Sequence, residues 1–153
     1  MDIQLTHHDW SSSTLLWSEL LKAHPYTVLY FYPKDNTPWC TIESKNFSSL
    51  ADEFMQLGCQ IIGVSKDSHA SHCSFISLFG LTIDLICDKT LELHHHFNTL
   101  GKKSMFGKSY EGTIRSTFLL DHSGQIIDER RDVSVLQHAD HVLVQLKKRL
   151  KSD

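Results

Sequence analysis

The sequence predicts an α/β fold, a central mixed sheet with helices on both faces. Two uncharged, β-branched and aromatic runs, residues 27–32 and 60–65, read as buried strands. Between them Phe47, Leu50, Ala51 and Phe54 recur at helical spacing. Late in the chain, residues 114–120 and 125–128 flank "DHSG", a hairpin signal. Early alternation of strand and helix followed by a late hairpin calls for both parallel and antiparallel pairing in one sheet.

Residues 14–22 carry an amphipathic pattern that Pro25 stops, which predicts a first helix. The helix built on Phe47 begins near Cys40 and ends at Gly58, so Cys40 lies at or near its N-terminus. Ser68 is placed to cap a helix carrying Phe75, Ile76 and Phe79 as far as Gly80. Residues 83–87 form a short third strand, and Thr90 stands as the cap of a short helix with Leu93 and Phe97 inward. The Gly- and Lys-rich residues 101–112 predict a loop. A last helix is expected from about Ser134, with Val135, Leu136, Ala139, Val142, Leu143, Leu146 and Leu150 on one face. A chain of 153 residues suits one domain, residues 1–153, better than two.

Composition narrows the function. Apolar residues at 41% and charged ones at 22% are ordinary for a soluble protein. A net charge of −3 with mixed signs argues against nucleic acid, the only basic run being Lys147, Lys148, Arg149 and Lys151, where a helix dipole favours cations. The longest apolar run, residues 28–32, is far too short for a membrane span, and no basic-then-apolar leader opens the chain. The expectation is a cytoplasmic protein whose four cysteines, Cys40, Cys59, Cys73 and Cys87, are thiols at rest. That favours catalysis or metal binding over structural disulfides, and the spacing excludes a zinc ribbon and a C-x-x-C redox pair.

The stretch "YPKDNTPWC" raises the question of what surrounds Cys40. A free cysteine is only about 3% thiolate at pH 7, and reactive use needs its pKa lowered by roughly two to three units. A helix N-terminus supplies at most about 2 kcal/mol, less than the 3 to 4 kcal/mol required, so a cation is needed as well. Arg115, a charge opening the apolar run "IRSTFLL", is the residue placed to supply it. Thr37, one turn before Cys40, can give the sulfur a hydroxyl hydrogen bond. Pro33 and Pro38 fix the turn.

Pro33, Thr37 and Cys40 compose P-x-x-x-T-x-x-C, and "LYFYPKDNTPWCTIE" together with "KKSMFGKSYEGTIRSTFLLDHSGQI" resembles the peroxiredoxins, most closely the bacterioferritin comigratory protein or peroxiredoxin Q subfamily, over about residues 27–150. The resemblance implies a thioredoxin-like fold of peroxiredoxin type. It implies that Cys40 is the peroxidatic cysteine, that Thr37 and Arg115 bind and activate peroxide, and that Pro33 shields the site; Glu43 stands where the family keeps a glutamate. The activity implied is reduction of hydrogen peroxide and organic hydroperoxides with no cofactor and no metal. Thioredoxin or a similar dithiol would regenerate the enzyme, a monomer by expectation.

Some residues depart from the family pattern. Lys45 occupies the site where many members carry the second, resolving thiol. Other members place it on the helix after the second strand, where this chain has Cys73, about one turn early; Cys73 is the resolving candidate, and a one-cysteine enzyme served by an external thiol is the alternative. Trp39 replaces the usual glycine before the peroxidatic cysteine, which narrows the pocket mouth or offers a partner an apolar dock. The N-terminus lacks the family's Ala-Pro-Asp-Phe opening, so the edge it forms is expected to be remodelled.

Blander assignments hold elsewhere. Cys59 and Cys87 read as small core residues, and His94, His95 and His96 as a solvated helix face, since consecutive helical residues diverge by about 100°. His69, His72 and Cys73 could share one face around a metal, but no fourth ligand is apparent. Thr117 shares strand parity with Arg115, whereas Phe118 and Leu120 face the core. Two other functions stay open: a thiol–disulfide oxidoreductase, suggested by "WC" but opposed by Glu43 at the second-cysteine position, and a histidine-rich metal binder or peroxide sensor.

Overall fold

The strand that reads as buried on both faces is the middle of the structure. In the computed structural model, which describes residues 1–135 and 138–152, β3 (Tyr26–Phe31) pairs in parallel with β4 (Cys59–Ser65) and antiparallel with β8 (Ser116–Asp121). β4 pairs in parallel with β5 (Asp84–Cys87), β5 antiparallel with β1 (Asp2–Thr6), β1 with β2 (Ser12–Leu16), and β8 with β9 (Ile126–Arg131). The resulting sheet has the order β2-β1-β5-β4-β3-β8-β9, with the parallel strands inside and hairpins at both edges.

The period-2 alternation of β3 feeds two cores. Val28, Tyr30 and Tyr32 point to the face covered by α2 (Pro38–Gln56), α3 (His69–Phe79) and α5 (His138–Ser152), which contribute Phe47, Phe54, Phe75, Ile76, Val142 and Leu146. Leu29 and Phe31 point to the other face, covered by α1 (Trp17–Lys22) and α4 (Glu92–Phe97) through Leu20, Leu21, Leu93 and Phe97. Removing an aromatic such as the fully buried Phe47 costs about 3–5 kcal/mol, so these two layers fix where α2 sits. Tyr30 adds direction: its ring stacks on Phe47 at 4.6 Å, and its hydroxyl hydrogen-bonds Ser44 Oγ at 2.9 Å. The ring lies over Gly63, where any Cβ would come within 2.7 Å of Tyr30 Cζ.

Several elements differ from their sequence reading. Residues 14–16, expected as the start of the first helix, instead belong to β2, because Ser and Thr are weak helix formers and the strand finds β1 as a partner, Gln4 opposite Thr14. Thr90 does not cap α4; Leu91 is left-handed (φ 64°) and the Asp88 carboxylate accepts from the Leu93 and His94 amides instead. The expected loop over 101–112 is a hairpin, β6 (Leu100–Met105) with β7 (Lys108–Thr113), turned at Phe106 and Gly107, both at positive φ as a two-residue hairpin turn requires. α5 begins at His138 rather than Ser134, and Leu136 of its expected stripe lies outside the described residues.

Candidate active site around Cys40

Pro38 and Trp39 start α2 and Cys40 is its third residue, with Thr37 as the N-cap. Proline there loses no hydrogen bond, because the first amides of a helix have no carbonyl to reach. The amides of Trp39 and Cys40 belong to that first turn, so the positive end of the helix dipole lies under the sulfur. Cys40 is 1% exposed, packed in the same core as Tyr32 and Phe47.

Arg115 reaches this sulfur from the residue before β8. Its Nη2 donates to Cys40 Sγ at 3.2 Å and its Nη1 to Glu43 Oε1 at 2.5 Å. Glu43 and Cys40 lie on one side of α2, so one guanidinium fork serves both. Burial acts to lower the Arg115 pKa, but Glu43 and Cys40 outweigh it and raise it. Glu43 is 1% exposed, and burial pushes its carboxyl up to about 7 against the opposing pull of Arg115. Its Oε2 has no hydrogen-bond partner among the described residues.

The expected Thr37 hydrogen bond to the sulfur takes another form. The Thr37 hydroxyl donates to the Lys34 carbonyl at 2.8 Å, and the Thr37 carbonyl accepts from the Thr41 amide, so Thr37 closes the turn at both ends. Pro33 is half-buried at the entrance of that turn. Beside Arg115 opens a cleft of about 220 Å³ lined by Trp39, Val133, Ser134 and Val135, and the 55%-exposed Trp39 forms its rim. The Val133 amide donates to the Arg115 carbonyl at 3.0 Å, tying the cleft wall to the arginine.

Residues that sequence reasoning passed over also surround the site. Lys103, on β6, has its pKa lowered by burial and by Arg115 and partly restored by Cys40, which puts a second cation in the field of the sulfur. Only the pairing of β6 with β7 could have revealed it. Behind the site, the buried Thr117 bonds His138 Nε2 at 2.7 Å, and His138 packs edge-on against Phe47. Burial, then Arg130 and His141, depress His138 to about 4, so this ring is neutral. Phe118 and Leu120 pack the opposite core, as expected.

Cys73 lies elsewhere on the same face of the sheet. It is half-exposed on α3, with Sγ 3.4 Å from His69 Nε2 and 3.7 Å from the Trp10 carbonyl, and burial followed by the nearby Cys87 pushes its thiol up. All four cysteines are free. Cys59 is a core residue as read, its thiol raised to about 12 by burial. Cys87 is not; half-buried, it contacts Thr6 at 3.6 Å and lines a cavity of about 420 Å³ with His69 and Asp88. His95 and His96 are exposed, but His94 is fully buried between Asp88 at 2.6 Å and Thr113 at 2.9 Å, correcting the solvated reading. Among the described residues no cluster of three or more His, Cys, Asp or Glu could hold a metal ion, and no helix is long and apolar enough to cross a membrane.

With this geometry in hand, known proteins give a consistent context. Residues 1–129 match the model of the AhpC/TSA family. Peroxiredoxin Bcp of Xanthomonas campestris pv. campestris is 44% identical over 129 residues, covering 83% of this chain and 81% of that one. The structure of a Cys→Ser mutant of Xylella fastidiosa PrxQ superposes with a TM-score of 0.89 at 35% identity, over 98% of this chain and 89% of that one. A structure of Xanthomonas campestris bacterioferritin comigratory protein, described in terms of its alkyl peroxide reduction activity, superposes at 0.85 with 38% identity, over 97% and 91%. The fold is therefore the thioredoxin-like fold of the peroxiredoxins, and the chain belongs to the AhpC/TSA family.

Proposed function

We infer that the protein is a thiol-dependent peroxidase in which Cys40 is the sulfur that meets peroxide. The observation that carries this is the guanidinium of Arg115 donating to Cys40 Sγ at a helix N-terminus. A cation and a helix dipole both favour negative charge on the sulfur, the form that attacks. The thiolate attacks one peroxide oxygen, the O–O bond breaks, and the departing oxygen leaves as hydroxide or alkoxide and takes a proton. Donors fixed in advance, the Arg115 fork and the first-turn amides, stabilise charge where it grows. Thr37, its proton committed to Lys34, keeps oxygen lone pairs to accept a bond from the peroxide O–H. Pro33 stands between the turn and solvent.

Cys40 is left as a sulfenic acid. In this reading the Cys73 thiol attacks it, water leaves, and a Cys40–Cys73 disulfide forms. Thioredoxin or another dithiol then reduces that bond. The cleft beside Arg115, walled by Trp39, Val133 and Val135, favours organic hydroperoxides with an alkyl arm along with hydrogen peroxide. A bridge needs Cα atoms within about 7 Å, and Cys40 is buried, so both segments open locally before it forms.

Peroxide consumption measured with thioredoxin, its reductase and NADPH tests the function. Continued turnover is expected. Stoichiometric oxidation of the protein followed by arrest would replace the enzyme with a peroxide sensor.

A further inference from the structure

The turn that carries Cys40 is held by a charged contact outside the peroxide site. Asp35, two residues after Pro33, is buried, and its carboxylate takes three hydrogen-bonding or ionic approaches, one from Tyr32 and two from α3. Tyr32 donates to Oδ1 at 2.6 Å, while Ser71 Oγ at 2.8 Å and His72 Nδ1 at 2.7 Å approach Oδ2; the Asp35 amide donates to Asp67 Oδ2 at 2.8 Å. Ser71 and His72 stand on the first turn and a half of α3, immediately before Cys73. The other nitrogen of the His72 ring, Nε2, meets the Ile86 carbonyl at 3.0 Å.

A carboxylate and a carbonyl can only accept, so both ring nitrogens of His72 must donate, and only the imidazolium has two N–H groups. The ring is fully buried, which opposes charge; hydrogen bonding and charge from Asp35, with Cys87 adding in the same sense, overcome that and raise the pKa to about 10. The groups facing this ring are Asp35 from the Cys40 turn and, from β5, Cys87 and the Ile86 carbonyl. A buried ion pair is poor evidence of net stability but strongly penalises the loss of one partner. It therefore acts as a discrete clasp between the segment holding Cys40 and the segment holding Cys73.

We propose that His72 is a positioning residue of the peroxidase reaction: as a permanent imidazolium it clamps Asp35, holds the 33–40 turn in its peroxide-reactive form, and is let go when the two cysteine segments open to form the disulfide. The first half rests on Cys40 alone, and the second on the reading of Cys73 given above. No proton, electron or covalent bond passes through His72. Its part is to set how often the turn and α3 are closed together.

The test is a cycle of His72→Gln, Asp35→Asn and the double variant, with single-turnover kinetics and hydrogen exchange on the reduced proteins. Each single variant leaves one buried charge unpaired. It should react with hydrogen peroxide about 10- to 100-fold more slowly, exchange faster at residues 33–45 and 69–75 together, and form the disulfide faster once oxidised. The double variant, with a neutral amide pair, should recover part of the peroxide rate over either single. Wild-type rate and exchange in His72→Gln, or opening of α3 without the turn, would overturn the proposal. If the singles fail to fold, the ring ¹⁵N shifts of the wild-type protein decide: two protonated nitrogens at pH 8 are expected, and a neutral ring overturns it. If Cys73→Ser still forms an intramolecular disulfide, the reading of Cys73 fails while the loss of peroxide rate in His72→Gln still tests the clasp.

Discussion

Cys40 and Cys73 sit on the same face of one sheet, yet their surroundings ask for opposite behaviour. Cys40 is buried at a helix start, touching a guanidinium that it shares with Glu43. Cys73 is half-exposed one turn into α3, beside a neutral carbonyl and an imidazole, with its thiol pushed up. One sulfur meets a cation in the resting fold; the other meets no cationic donor among the described residues and has its thiol raised. A thiol can thus be reactive because of what touches it or because of what it can reach, and the structure separates the two.

Replacing each sulfur is the bluntest way to break that contrast. Cys40→Ser should abolish peroxide consumption, and substantial residual activity would remove Cys40 from the reaction. Cys73→Ser should leave the first oxidation at its wild-type rate but eliminate the intramolecular disulfide, read by non-reducing peptide mapping; a variant that still forms it would move resolution to another thiol. Arg115→Ala takes away a charged donor at the point where negative charge develops, a change worth about 10²- to 10³-fold in rate for comparable donors. Stopped-flow oxidation measures it, and an unchanged rate would leave the 3.2 Å contact without a role.

The remaining charges give smaller and pH-dependent effects. Glu43 has a folded pKa of about 7 against an ordinary value of 4.5, so its contribution to stability is full below about 4.5 and is lost as pH rises through 7. Against Glu43→Gln, wild-type protein should lose roughly 3 kcal/mol of stability across that window in urea titrations, and parallel curves would contradict the buried, partly protonated carboxyl. His138 runs the other way. Its pKa is depressed from 6.5 to about 4, so its stabilisation is present above 6.5 and lost as pH falls through 4. Removing the imidazole with His138→Asn should flatten the acid limb of the stability curve. Trp39→Gly, which opens the cleft rim, should change the preference between hydrogen peroxide and a bulky hydroperoxide by only several-fold, and no change would take Trp39 out of selectivity.

What was legible from sequence follows the range of the interactions. The placement of Cys40 at a helix start follows from local periodicity, Pro38 and Gly58, and the strands β3 and β4 from uncharged runs buried on both sides. The need for a distant cation followed from magnitudes, and "IRSTFLL" supplied it. Local signals failed where a partner decides: residues 14–16 join a strand because β1 lies beside them, and the 101–112 loop becomes a hairpin because its halves pair. His72 and His94 read as surface or metal-binding histidines because their partners are sequence-distant or arrive only with the fold: Asp35 lies 37 residues from His72, and Thr113 lies 19 from His94.

The most direct test of the central claim is mass spectrometry of the reduced protein after one equivalent of hydrogen peroxide, with the modified sulfur located by peptide mapping. A Cys40–Cys73 linkage, two hydrogens lighter, is predicted for the wild type, and an oxygen held on Cys40 for Cys73→Ser. Oxidation that falls on Cys59, Cys73 or Cys87 while Cys40 stays a thiol would contradict the account.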